Sequence, residues 1–192
     1  FSYAQILSIS IWLCLALIKI HRKGTIFADL KPENILVGDN YHPVRLVDFG
    51  SVTSSLFSNP LKATITPHYL APECFSTCFS RPTRDIYALG IIMHEMISQR
   101  HFISELSKDT QDWLNYWDKE YKRLHLEKQV DNPCIFRPGE IPESFGDVIL
   151  RALSKNPKDR FQKVENMLSA LINCDARVGL TYNQFIFSDY KL

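Results

Sequence analysis

The sequence predicts a mainly α-helical fold carrying one small β-hairpin near its start. Three observations lead there. The run from Ile6 to Ile18 is almost wholly apolar, bracketed by Gln5 and Lys19, and such a run on every helical face marks a helix buried all round. Two short β-branched runs, Ile35-Leu36-Val37 and Val44-Arg45-Leu46-Val47, flank a turn holding Gly38, Asp39, Asn40 and Pro43, the pattern of a hairpin. Helical periodicity then returns in four later stretches, separated by Pro133, Pro138, Gly139, Pro142 and Pro157.

Taken in order, the first helix closes on His21-Arg22-Lys23-Gly24, a basic last turn followed by a glycine stop. Its apolar run falls short of the roughly 20 residues a membrane span needs. No basic stretch precedes it and no small-residue cleavage pattern follows, so a core helix is expected and no membrane span. From Thr25 to Asn34 the chain is a polar loop that Pro32 keeps from becoming helix. The hairpin follows, then a hydroxyl-rich stretch from Ser51 to Thr66 with little periodicity. Helices are expected over 83–98, 113–128, 143–154 and 163–173. The segment from Arg177 to Leu192, rich in Tyr and Phe, is expected to pack on the body as a tail.

Composition narrows the function classes. The 192 residues are 45% hydrophobic and 22% charged, close to globular averages, which excludes intrinsic disorder and a disulfide mini-scaffold. Lys and Arg number 22 against 21 Asp and Glu, a net charge of +1, so the basic excess of a nucleic-acid binder is missing and no nucleic-acid partner is expected. The five cysteines are scattered and no Asn-x-Ser/Thr acceptor occurs. Free thiols and a cytoplasmic location are the expectation. His94-Glu95 resembles the start of a zinc-protease helix, but Ser98 stands where the second histidine belongs. The aromatic stripe of Trp113, Tyr116, Trp117 and Tyr121 reads as helical core packing.

Chemistry gathers at the hairpin. Placing Val37 opposite Arg45 also places Asn34 opposite Asp48, so the two emerge side by side at the open end. Asp29 and Lys31 lie on the loop leading to the same edge. Hard oxygen ligands there suit Mg²⁺, which shares its remaining sites with phosphate oxygens. A carboxylate free of the metal can orient a hydroxyl or accept its proton, and a lysine can neutralise a transferring phosphoryl group.

These residues also carry a family resemblance. Asp29-Leu30-Lys31-Pro32-Glu33-Asn34 resembles the catalytic loop of eukaryotic-like protein kinases. Asp48-Phe49-Gly50 is similar to their metal-binding triplet, and Ala71-Pro72-Glu73 to the triplet closing the activation segment. Thr66-Pro67-His68-Tyr69-Leu70 resembles the substrate-docking loop. Asp85-Ile86-Tyr87-Ala88-Leu89-Gly90 resembles the start of the central helix, and Asn156 to Arg160 the late motif whose arginine pairs with the closing glutamate. The resemblance implies phosphoryl transfer from ATP to a hydroxyl of a protein substrate, with Asp29 as base and Lys31 on the γ-phosphate. It implies that Asn34 and Asp48 hold Mg²⁺, and that Glu73, Asp85, Arg160 and Thr66 give structural support. The lysine two residues after Asp29 resembles the serine/threonine branch.

Two departures qualify it. Phe27-Ala28 stands where the family has His-Arg. Ala28 cannot receive the phosphate of an activation-segment residue, so activity independent of such phosphorylation is expected. No Gly-x-Gly-x-x-Gly occurs, and the seven glycines are scattered. The chain therefore resembles only the C-terminal lobe of a two-lobe α+β fold, over residues 1–174, with 175–192 as a tail. Opening at Phe1, it is expected to need an N-terminal lobe in cis or in trans. The alternative is a non-catalytic lobe that docks on a kinase or its substrate.

Overall fold

The computed structural model describes residues 1–39, 43–54, 67–75, 81–100 and 122–175. The expectations for Thr66, Cys78, the Trp113 to Tyr121 stripe and the tail beyond Asp175 lie outside them.

Helix α1, Tyr3–His21, begins at a capping box. Ser2 Oγ accepts the Gln5 N–H at 3.3 Å and Gln5 Oε1 accepts the Ser2 N–H at 2.7 Å, which satisfies two donors that a helix start otherwise leaves open. The helix is longer than its apolar run and, by length and composition, long and apolar enough to cross a membrane. In the fold it is a core helix. Ile6, Leu7, Ile11, Leu13, Cys14 and Leu17 are fully buried, and α1 packs against two later helices and the hairpin.

After Gly24, in the left-handed region at φ 70°, comes a two-residue strand, β1, Thr25–Ile26. The sequence suggested only polar loop here. Its partner, β4, is Thr53–Ser54, so the start of the hydroxyl-rich stretch is pinned antiparallel to β1. Pairings this short carry no periodicity to read.

The expected hairpin is β2, Ile35–Val37, with β3, Val44–Leu46. Its register is one residue away from the expected one: Ile35 pairs with Leu46, Leu36 with Arg45 and Val37 with Val44. The physical reason is facial matching. Val44 and Leu46 are buried while Leu36 and Arg45 are exposed, so this register sets exposed Leu36 against exposed Arg45 and half-buried Ile35 against buried Leu46, with Val37 at the turn end exposed. A one-residue slip would reverse that.

Helix α2, Pro82–Ser98, is the central element, starting with proline where no N–H bond is needed. Helix α3 is Lys122–Glu127, α4 is Glu143–Ala152 and α5 is Val164–Asn173. Short 3₁₀ turns cover Pro32–Asn34, Phe49–Ser51, Pro67–Tyr69, Pro72–Phe75, Pro133–Phe136 and Pro157–Asp159. Helix α2 lies against α1 and α4, and α5 against α1 and α4, enclosing one apolar core. The described molecule is mostly helical with small antiparallel pairs.

Candidate active site

The site is built on the loop between β1 and β2, which α2 holds from below. Asp85, in the first turn of α2 and 1% exposed, accepts two consecutive backbone N–H groups of that loop. Phe27 N–H donates to Oδ2 at 2.8 Å and Ala28 N–H to Oδ1 at 2.9 Å. His21 Nε2 meets the same Oδ2 at 2.7 Å. A buried carboxylate needs such partners, and here they fix the end of α1 and the loop together. Ala28 is held in the left-handed region at φ 70°, an unusual place for a residue with a Cβ. That turn aims the next residue, Asp29, inward.

Asp29 is 7% exposed and Asn34 is 4% exposed. Asn34 Nδ2 donates to the Asp29 carbonyl at 2.8 Å and to Asp29 Oδ2 at 3.2 Å. Lys31 Nζ lies 2.8 Å from the same Oδ2. The structure thus brings together Asp29, Lys31 and Asn34. With both Nδ2 hydrogens turned to Asp29, the group Asn34 offers a cation is its carbonyl oxygen.

Asp48 is placed differently from the expectation. Because the register is shifted by one, the residue opposite Asn34 is Val47, whose N–H donates to the Asn34 carbonyl at 3.0 Å. Asp48 follows at the open end of the hairpin, exposed and left-handed at φ 58°. Its Oδ1 accepts the Gly50 N–H at 3.3 Å. It stands one residue past Asn34's neighbour, not side by side with Asn34. Phe49, 56% exposed, sets its ring edge-on to buried Phe27 at 5.6 Å. Phe27 therefore fills apolar space beneath the triplet.

The remaining supporting residues are described apart from Thr66. Arg160 is 1% exposed and forms a fork on Glu73, Nη1 to Oε1 and Nη2 to Oε2, both at 2.8 Å. It also donates to the carbonyls of Thr83, Ser154 and Lys155 and lies over the Tyr87 ring at 4.7 Å. Bidentate pairing of this kind is the strong form of an ion pair.

Sequence reasoning missed two contacts. His21 on Asp85 joins residues 64 positions apart, and the Tyr69 hydroxyl donates to Glu95 Oε2 at 3.0 Å across 26 positions. No local pattern announces either. Burial raises the Glu95 carboxyl to about 7; the Tyr69 hydrogen bond opposes this and the charge of Glu33 adds to it.

Hard oxygen donors without a soft ligand are chemistry that fits Mg²⁺ and phosphate. Among the described residues, no three His, Cys, Asp or Glu side chains form a ready-made metal cage. A cation here would complete its coordination from elsewhere.

Comparison with known proteins shows the family. The family model for the protein kinase domain matches residues 1–171. Serine/threonine-protein kinase PknD of Chlamydia abortus is 31% identical over 185 residues, covering 85% of this chain and 18% of that protein. PknD of Chlamydia caviae is 32% identical over 184 residues, with the same coverage of each. PknD of Chlamydia felis is 31% identical over 187 residues, covering 86% of this chain and 18% of the relative. The chain spans about 18% of the length of these curated relatives. Matched along most of its length, the chain belongs to the protein kinase family, among eukaryotic-like serine/threonine kinases.

Proposed function

We propose that this chain is the C-terminal lobe of a serine/threonine kinase that transfers the γ-phosphoryl group of ATP to a protein hydroxyl. The observation that carries the reading is the buried group Asp29, Lys31 and Asn34 on a loop whose backbone Asp85 grips at two successive amides. A base must be held within hydrogen-bond reach of its proton, and a rigid second layer is what holds it.

In this reading Asp29 Oδ2 receives or orients the proton of the substrate hydroxyl. Lys31, already 2.8 Å from that oxygen, sits where it can turn to a phosphate and offset its charge. The Asn34 side-chain oxygen, Oδ1, and the Asp48 carboxylate are the groups that would hold Mg²⁺. When bound, the ion supplies neutralisation of phosphate charge. Asp48 stands exposed at the hairpin end, accessible to a nucleotide.

The nucleotide needs a second wall. Leu36, Val37 and Phe49 are 54%, 41% and 56% exposed on the hairpin and the turn after it. Large apolar side chains in one stretch favour cover by another surface, and an N-terminal lobe supplied in cis or in trans is the cover proposed. Cys14, Cys74, Cys134 and Cys174 are free thiols, which supports a cytoplasmic site of action.

The test is transfer of labelled phosphate to a peptide by the protein carrying this chain and its N-terminal lobe. Asp29→Asn is expected to lower kcat by about 10² to 10⁴. Asp48→Ala is expected to abolish magnesium-dependent ATP binding. Unchanged transfer in both variants, with folding intact, would overturn the roles given to Asp29 and Asp48, and no transfer by the unsubstituted protein would favour a docking lobe.

A further inference from the structure

Between the catalytic loop at residues 28–30, the chain at 69–71 and the first turns of α2 lies a small cavity of about 10 Å³. Arg84, on α2 beside Asp85, forms part of its wall. The side chain is buried, 5% exposed, and its Nη2 has no hydrogen-bond partner among the described residues. The carboxylates in the same wall are engaged by other groups. Asp85 holds His21 and the amides of Phe27 and Ala28, and Asp29 holds Asn34 and Lys31. The Arg84 charge acts on the Cys74 thiol, where it opposes the rise that burial causes. The guanidinium therefore lies within electrostatic reach of the 3₁₀ turn Pro72–Phe75.

A guanidinium does not give up its proton inside a protein, and a buried charge without hydrogen bonds is strongly unfavourable. Size decides what can relieve it. A water molecule needs roughly 10–15 Å³ of such space and about two to four polar partners, and a polyatomic anion needs more room than that. Dry cavities in proteins are apolar, whereas Asp29, Arg84 and Asp85 all face this one. We propose that Arg84 is a positioning residue, holding on Nη2 one buried water that bridges the catalytic loop and residues 69–71 to α2. The proposal rests on the kinase reading above, because the loop it steadies carries Asp29. The water accepts from Nη2 and keeps two hydrogens for acceptors on the two facing segments. A bridge of this kind is nearly as favourable as a direct hydrogen bond. Arg84 thus adds a second tie between α2 and the loop, beside the one Asp85 makes. Ala28 contributes only a methyl group to the wall, which leaves room for the water.

A high-resolution crystal structure of the full chain is the first test, with density for a water expected about 2.7–3.2 Å from Arg84 Nη2. Amide hydrogen exchange of the same chain then reads the tie. In Arg84→Met, exchange across residues 26–31 and 69–75 is expected to speed up about tenfold, while α5 keeps its rate. Arg84→Lys retains a donor for the water and should restore most of the protection. Nη2 on a protein acceptor, or without a water, overturns the proposal, and so does unchanged exchange in both segments of the methionine variant. Equally faster exchange throughout the chain overturns it too, since that is general destabilisation and not a local tie. Phosphate transfer by the protein carrying this chain and its N-terminal lobe separates the two readings. Arg84→Met is expected to lower kcat about 10- to 100-fold and to leave the KM for ATP unchanged. No transfer by the unsubstituted protein sinks the kinase reading and leaves the water to the density and the exchange. Unchanged kcat in the methionine variant sinks this proposal and leaves the kinase reading standing.

Discussion

At Ala28 the chain accepts a left-handed backbone, φ 70°, and Asp85 holds it there through two amides. An L-residue with a Cβ pays roughly 1–2 kcal/mol for that region, while glycine there costs only the added freedom of the unfolded chain, about 0.4–1 kcal/mol. Ala28→Gly is therefore expected to leave stability unchanged or raise it by up to about 1 kcal/mol, read by urea denaturation. Ala28→Val should lower it, since a β-branched side chain suffers most at positive φ. Glu95 gives a pH prediction at the same scale. Burial lifts its carboxyl from the ordinary 4.5 to about 7, with Tyr69 opposing and Glu33 adding. The folded state then binds the proton more tightly than the unfolded one, so stability falls as pH rises between those values. In Glu95→Gln the fall should be smaller over that window, checked by Tm against pH; identical pH slopes for the two proteins would contradict the assignment.

Between elements, close approach decides more than propensity. Gly90 lies inside α2, where alanine is better by about 1 kcal/mol in an isolated helix. A Cβ there would meet Ala152 Cβ at 3.0 Å and Leu153 Cγ and Cδ2 at 3.1 Å, at the junction with α4. Overpacking of this kind typically costs 1–3 kcal/mol, so Gly90→Ala is expected to destabilise by about 1–2 kcal/mol. Adding Ala152→Gly should recover part of the loss, a coupling that a double-mutant cycle measures. The long elements were legible in the sequence because their periodicity is sustained: α2, α4 and α5 fall where the pattern placed them, within a residue or two. The hairpin was legible too, but its register was not. Turn residues and β-branched runs locate a hairpin, whereas register follows from which face is buried, and that depends on α1 packing beneath β3. The β1–β4 pairing was invisible, because two residues on each side define no period.

Across the whole molecule, Arg160 joins parts far apart in the chain: Glu73, Thr83, Ser154 and Lys155, with Tyr87 under its guanidinium. It is nearly fully buried, and the Glu73 side chain is 14% exposed at the rim. Removing one member of a buried pair strands the other, at about 3–5 kcal/mol. Arg160→Met is expected to destabilise by that order, and Arg160→Lys by nearly as much, because an ammonium cannot reproduce the fork or the flat stacking. Thermal unfolding of both variants checks this; a loss below about 1 kcal/mol in the methionine variant would show the pair to be dispensable.

By itself the sequence determined the helical body, the hairpin's existence and the residue types of the site, since these rest on local periodicity and on chemistry that only certain side chains can perform. Asp29, Lys31 and Asn34 lie within six positions of one another, so a single loop conformation suffices to bring them together. Tertiary structure alone decided the hairpin register, and with it the offset of Asp48 from Asn34. It also decided the grip of His21 and Asp85 on the loop and the bond between Tyr69 and Glu95. Each of these depends on which surfaces are buried against one another, a property of the packed chain that no local stretch of residues contains.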